Sequence, residues 1–100
     1  METSDEELKQ QLNMETGRIA WPELQRHFAR GVVIKVESGL DLVEVALKFV
    51  KDDKTTIESW LNSGVIARAN DTDAATWAEA TTVFWAVVVA PWVLIQEIQE

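Results

Sequence analysis

The stretch FWAVVVAPWVLIQEI, residues 84–98, decides how this chain folds, because it carries no charge until close to its end. The apolar run around it extends from Val83 to Ile95, which is 13 residues including Pro91. As a helix, this run would span about 20 Å, whereas the hydrocarbon core of a bilayer is about 30 Å thick. Its length therefore argues against a membrane-spanning segment.

The residue types of this run favour extended backbone. Pro91 would break or kink a helix in the middle, and many of the other residues are β-branched, which favours strands. The β-branched residues are Val83, Val87, Val88, Val89, Val93 and Ile95. Both alternating faces are apolar, with Phe84, Ala86 and Val88 on one and Trp85, Val87 and Val89 on the other. We therefore predict a strand over 83–97 that is interrupted or bent at Ala90-Pro91 and covered on both sides, like an interior strand of an α/β sheet.

The composition predicts one folded domain over residues 1–100. With 47% hydrophobic and 26% charged residues, the 100-residue chain has the profile of a globular protein. The net charge of −8 disfavours binding to nucleic acid or to anionic lipid. The chain has no cysteine, which excludes disulfides, thiolate catalysis and thiolate metal sites. The opening METSDEELKQQL lacks a signal-peptide pattern, so we expect a bacterial-type cytoplasmic protein.

Capping and stop signals predict five helices. Ser4 and Glu7 form a capping-box pattern that begins a short acidic helix within 1–17, and its thin apolar stripe predicts loose packing. Further signals predict helices at 22–30, 41–51, 55–63 and around Trp77. The caps of the last three are assigned to Asp41 with Glu44, to Thr55 with Glu58, and to Asp71, Thr72 and Asp73.

Two shorter strands complete the predicted elements. GVVIKVES predicts a strand at 32–37, and VIARA predicts one at 65–69. The order is helix, helix, strand, two helices, strand, helix, strand. This order predicts a small α/β or α+β domain, in which helices pack on a mixed sheet. Most of the five tryptophans lie at apolar positions of these elements and are predicted to be core residues.

A family resemblance is carried by three segments, VVIKVESGLDLVEVALKFVKDD, WLNSGVIAR and VVVAPWVLIQE. Together they resemble a family of small bacterial proteins catalogued as domain of unknown function 2288. The resemblance covers roughly 19–97 and implies a single-domain bacterial protein. It implies no active site, cofactor or partner for any residue of this chain.

The first functional hypothesis is a non-catalytic binding or self-assembling module. The many aromatic and valine residues fit an obligate homodimer, whose interface resembles a core cut in half. Trp85 and Trp92 are the candidate partner-facing residues of the apolar run. The charge is also uneven: residues 1–15 carry −4 and residues 18–35, which include Arg26 and Arg30, carry +3. These segments are predicted to pair within a chain, between chains, or to remain solvated.

The second hypothesis is a winged helix-turn-helix DNA-binding protein. The helix and strand order over 22–69 has the order of that fold, and WLNSGVIAR resembles a recognition helix that leads into a wing. The outward side chains of the 55–63 helix carry little positive charge, which disfavours contact with phosphates.

The third hypothesis is a small enzyme that uses Glu37, Asp41 and Glu44, which cluster near one strand end and helix start. Paired carboxylates support acid-base chemistry when their environments differ, although capping accounts for Asp41 and Glu44. His27 has no second histidine or cysteine with which to bind a metal, and the glycines form no phosphate-binding loop. The residues therefore predict no catalytic, cofactor-binding or metal-binding site.

Overall fold

The computed structural model describes residues 4–98, which form five helices and five strands. In chain order these are α1 (Asp5–Glu15), β1 (Gly17–Ala20), α2 (Trp21–Ala29), β2 (Val33–Val36), α3 (Leu42–Val50), α4 (Lys54–Ser63), β3 (Ile66–Arg68), α5 (Asp71–Ala80), β4 (Val83–Val89) and β5 (Trp92–Glu97). Within residues 4–98, every helix is too short or too polar to cross a lipid bilayer.

The strands form one mixed sheet in the order β1-β4-β5-β2-β3. Within the described residues, β2 and β5 are the one parallel pair, and the other three neighbouring pairs are antiparallel. The residue pairs Val87↔Leu94 and Ile34↔Leu94 place β5 at the centre of the sheet. The fold is α+β, which confirms the predicted fold class.

Helices cover both faces of this sheet. On the front face, α1, α3 and α4 pack over a core that includes Leu12, Val45 and Leu94. On the back face, α2 and α5 pack over a second core, in which the rings of Trp77 and Phe84 meet edge to face with centroids 5.0 Å apart. Successive strand residues alternate between the two cores, as the pleat of a sheet requires.

The apolar run at 83–97 is extended, as predicted, but it forms two strands and not one. The break at Ala90-Pro91 reverses the chain, so that β4 and β5 form an antiparallel hairpin whose last pair is Val89↔Trp92. The prediction that both faces are covered is wrong at two positions, because the side chains of Trp85 and Val88 are 40% and 59% exposed. Helices cover each face over only part of the length of β4.

The predicted helices are all present, but the predicted cap of α4 is wrong and that of α5 is correct only for Asp73. Ser4 caps α1 and Asp41 caps α3, as predicted. The cap of α4 is Asp53 in place of Thr55. The cap of α5 is Asn70, which forms a reciprocal capping box with Asp73. At α4, aspartate is a stronger cap than threonine, and Asp53 lies two residues before Thr55.

The strand β1 was not predicted from the sequence. It is a four-residue edge strand that pairs with Val83–Ala86 of β4, and Arg18 lies opposite Trp85. Its residues GRIA are half-exposed or exposed and show no apolar alternation. The strand therefore exists because β4 offers it an edge, and not because of a local preference.

Candidate functional site

A groove of about 700 Å³ opens on the front face, between α4, the end of α3 and the tip of the β4–β5 hairpin. Of the described residues that line it, nine are apolar and four are charged. The charged residues are Asp52, Lys54, Glu58 and Arg68. We call this feature the α4 groove. It combines an apolar interior with a few polar groups, which is typical of a ligand-binding site.

The helix α4 forms one wall of the groove with Lys54, Ile57, Glu58 and Leu61. These residues are spaced i, i+3, i+4 and i+7, so they form one stripe along the helix. No residue of α4, Lys54–Ser63, is buried, and the side chain of Leu61 is 45% exposed. The helix α4 therefore lines the groove but does not pack closely enough on the sheet to close it.

The opposite wall comes from the sheet and contains an arginine stacked on a tryptophan. The guanidinium carbon of Arg68 lies 5.3 Å from the ring centroid of Trp92. Its Nη2 donates a hydrogen bond to the carbonyl oxygen of Gly31 at 2.8 Å. Among residues 4–98, no carboxylate lies within ion-pair distance of this guanidinium. The stacking and the hydrogen bond therefore fix the Arg68 guanidinium at the groove wall, and its other N–H donors have no carboxylate partner among the described residues.

The end of the groove is apolar. Phe49 and Val50, at the end of α3, line it together with Val89, Ala90 and Pro91 at the hairpin tip. The side chain of Val50 is 45% exposed.

The four residues proposed from the sequence as an interaction surface do not lie together. Trp85 and Trp92 share the front face, but they lie at opposite ends of the hairpin, since Trp85 pairs with Gln96 and Trp92 with Val89. Arg26 on α2 and Arg30 at the C-cap of that helix are exposed, and α2 packs on the back face. Of the four, Trp92 lines the α4 groove.

The carboxylates of the enzyme hypothesis also lie apart. Glu37 lines a polar cleft of about 310 Å³ on the back face, which also contains the ion pair between Lys35 and Asp73 at 2.7 Å. Asp41 caps α3 and lines different depressions. Glu44 forms an ion pair with Lys9 at 2.7 Å. The three side chains therefore have separate structural partners and do not converge on one cleft.

Residues 4–98 contain no cluster of three histidine, cysteine, aspartate or glutamate side chains placed to hold a metal ion. His27, which the sequence analysis considered as a ligand, is half-buried on α2 near the back face.

The helices and strand of the winged-helix hypothesis exist, but they belong to a different architecture. The strand β3 after α4 pairs with β2 at the edge of the five-stranded sheet and forms no separate wing. The groove-lining stripe of α4 faces the protein and includes Ile57 and Leu61. The structure therefore corrects the fold assumed by this hypothesis.

The α4 groove was not predicted from the sequence, although one signal for it was present. The helix α3 is apolar on two stripes, and Val50 belongs to the second stripe together with Val43 and Leu47. The structure buries Leu47 and leaves Val50 at the groove. A short helix that is apolar on nearly all sides has more apolar surface than one sheet face covers, and the excess indicates a site.

A family model described as "Protein of unknown function (DUF2288)" matches residues 7–97. The fold is similar to the NMR solution structure of PA1075 from Pseudomonas aeruginosa, with 44% identity and a TM-score of 0.82. That match covers 93% of this chain and 86% of the other. No curated protein matches this chain. The chain therefore belongs to the DUF2288 family, as its sequence resemblance indicated, and no function is established for that family by these comparisons.

Proposed function

We propose that this protein is a non-catalytic binding protein and that the α4 groove holds a small ligand with a largely apolar body. One observation carries the proposal: a recess of about 700 Å³ is lined by nine apolar residues among those described. Sites for small molecules typically enclose about 300 to 1,000 Å³ and are mostly apolar.

The incomplete burial around the groove supports this proposal. Val50 at the end of the groove and Leu61 on its α4 wall are each 45% exposed, although both are large aliphatic residues. A ligand that fills the space between them removes apolar surface from water, which stabilises the complex by about 25 cal/mol per Å². The apolar surface that stays exposed in the folded chain therefore provides a hydrophobic driving force for ligand binding.

The experiment uses the neutral apolar dye N-phenyl-1-naphthylamine, whose fluorescence rises in an apolar site. We expect dye binding by the wild-type protein and at least a tenfold weaker affinity for Val50→Lys, because the lysine places a charge in the groove. The matched control is Val88→Lys, since Val88 is 59% exposed on the back face and lies outside the groove. Absence of dye binding to the wild type, or equal losses in both variants, would count against the proposal.

Self-association is a second candidate function, favoured by the placement of charge. The helix α1 exposes Glu6, Glu7 and Glu15 on the front side, whereas Arg26 on α2 and Arg30 at its C-cap are exposed on the back. In the part of the chain that the structure describes, no ion pair joins these two helices. Because the sheet separates them, their charges are available to a second copy of the chain.

Sedimentation velocity at tens of micromolar protein tests self-association. We expect a dimer or larger species at 50 mM salt that dissociates at 500 mM, because salt screens exposed ion pairs. The double variant Arg26→Glu with Arg30→Glu should be monomeric, whereas Arg18→Glu with Lys54→Glu, which changes the net charge equally away from α2, should still assemble. A wild-type monomer at low salt would exclude this candidate.

Cytoplasmic localisation stays a prediction from the sequence, which cell fractionation tests.

A further inference from the structure

We propose, resting on the ligand-binding function above, that the ligand of the α4 groove is a small amphiphilic carboxylate whose anionic head binds Arg68. Its aliphatic or aromatic body would lie along the apolar walls. This inference names the chemical class of the ligand, which the volume and apolarity of the groove alone leave open.

The state of Arg68 is the first observation for an anionic head. A guanidinium has five N–H donors, and in Arg68 one nitrogen donates to the carbonyl oxygen of Gly31 at 2.8 Å. Stacking on Trp92, with 5.3 Å to the ring centroid, holds the group at the groove wall. Among residues 4–98, no carboxylate pairs with it. The remaining donors match the two oxygens of a carboxylate, which guanidinium binds as a planar fork.

The distribution of the other charges places the head at the sheet wall. Asp52, Lys54 and Glu58 all belong to the segment from the end of α3 into α4, whereas Arg68 belongs to β3. Among the described lining residues, the helix wall therefore carries two acidic groups and one basic group, and the sheet wall carries one cation and no acidic group. An anion is repelled by the net charge of the first wall and attracted by the second.

The apolar residues provide the site for the body of the ligand. Phe49 and Val50 lie on α3, and Ile57 and Leu61 lie on α4, so that the apolar walls come from both helices. The groove therefore has a cation on its sheet wall and apolar side chains on its helix walls. This arrangement matches a ligand that has an anionic carboxylate head and a hydrocarbon body.

The shape of the site favours a free small molecule over a protein partner. The groove is a recess bounded by α4, by the end of α3 and by the hairpin tip, as in small-molecule sites. Standard protein interfaces are instead broad patches of about 800 Å² on each partner.

Isothermal titration with three ten-carbon amphiphiles tests the inference: decanoate, decanol and decyltrimethylammonium, all below their micelle-forming concentrations. For the wild type, we expect decanoate to bind about tenfold more tightly than decanol and the ammonium compound to bind most weakly. The variant Arg68→Gln should bind decanoate and decanol equally, whereas Arg68→Lys should retain part of the preference. Arg18→Gln on β1 removes an exposed arginine outside the groove and should leave all three affinities unchanged.

The outcomes separate this inference from the proposed function. If decanol binds as tightly as decanoate, or if Arg68→Gln keeps the preference, the inference is wrong while the apolar groove still binds ligands. Tightest binding of the ammonium compound would assign the head to Asp52 and Glu58 and overturn the inference in the same way. If none of the amphiphiles and no neutral dye binds to the wild type, the proposed function itself fails.

Discussion

At the residue scale, Asp73 joins α5 to the central part of the sheet through one carboxylate. Its Oδ2 accepts a hydrogen bond from the backbone N–H of Asn70 at 3.0 Å and lies 2.7 Å from the ammonium of Lys35. Its own backbone N–H donates to Oδ1 of Asn70 at 2.9 Å. The side chain thus completes a capping box and an ion pair at the same time.

We predict that Asp73→Ala lowers the free energy of unfolding by about 1 to 2 kcal/mol, because a cap contributes about 1 kcal/mol and a part-exposed ion pair up to about 1 kcal/mol. Urea unfolding measures this loss. The matched control is Asp71→Ala, which changes an exposed carboxylate in the same helical turn that interacts mainly with the helix dipole, worth about 0.3 to 1 kcal/mol. Equal losses in the two variants would contradict the bridging role of Asp73.

A second residue-scale prediction concerns the pKa of Asp53 at the start of α4. Its carboxylate accepts hydrogen bonds from the hydroxyl of Thr56 at 2.9 Å and from the backbone N–H of Thr56 at 3.2 Å. These bonds, the hydroxyl first, hold the pKa of Asp53 below its ordinary value of 3.8, and the charges of Lys48 and Lys51 add to the effect. Since the folded-state pKa is the lower one, this stabilisation is present above pH 3.8 and is lost as the pH falls through the folded-state pKa.

The variant Thr56→Val removes the hydroxyl, so we expect the pKa of Asp53 to rise towards 3.8 in an NMR titration. Thr55→Val removes a neighbouring, more exposed hydroxyl on the same turn that makes no bond to Asp53, and it should leave the titration unchanged. A pKa that is the same in the wild type and in Thr56→Val would show that the hydroxyl does not hold the carboxylate in its ionised form.

At the element scale, Gly64 determines where α4 ends. Its φ of +83° is left-handed, and a side chain there would meet no heavy atom within 4 Å. We predict that Gly64→Ala lowers the free energy of unfolding by about 1 to 2 kcal/mol, entirely from backbone strain. Gly39→Ala is the control in denaturant unfolding, since Gly39 also has open space but no positive φ. Equal stability of the two variants would show that the C-cap adjusts without cost.

At this scale, most features that depend on neighbouring residues were predicted correctly, and features that depend on strand pairing were not. Ser4 and Asp41 were predicted as caps and are caps, because a cap depends on residues within one turn of it. The run at 83–97 was predicted as extended for an equally local reason, the preference of β-branched residues. Its division into two antiparallel strands depends on which partner each half finds, and β1 depends on the edge that β4 leaves. Pairing of this kind joins residues distant in sequence, such as Arg18 with Trp85.

At the scale of the whole molecule, β5 connects the two halves of the sheet. Leu94 is fully buried in the front core and lies opposite Val87 on β4 and Ile34 on β2. We predict that Leu94→Ala lowers the free energy of unfolding by about 2 to 5 kcal/mol, through lost burial and the cavity that remains. Far-UV circular dichroism and tryptophan fluorescence should show one coincident transition, because both halves depend on this strand.

The control for this variant is Val88→Ala on β4, whose side chain is 59% exposed and which should cost no more than about 1 kcal/mol. Two separate transitions in Leu94→Ala would show that the sheet halves fold independently.

Local sequence signals were enough to predict the helix positions, the extended state of residues 83–97, a small α/β or α+β domain and the family. These depend on hydrogen bonds and periodicity within a few residues, or on direct similarity. The strand order, the edge strand β1 and the α4 groove follow only from how the elements pack in the folded chain. The groove brings together Val50, Arg68 and Trp92 from three different elements. Incomplete coverage of apolar surface is a property of that packing, so the excess apolarity of α3 indicates a site but does not identify its other walls.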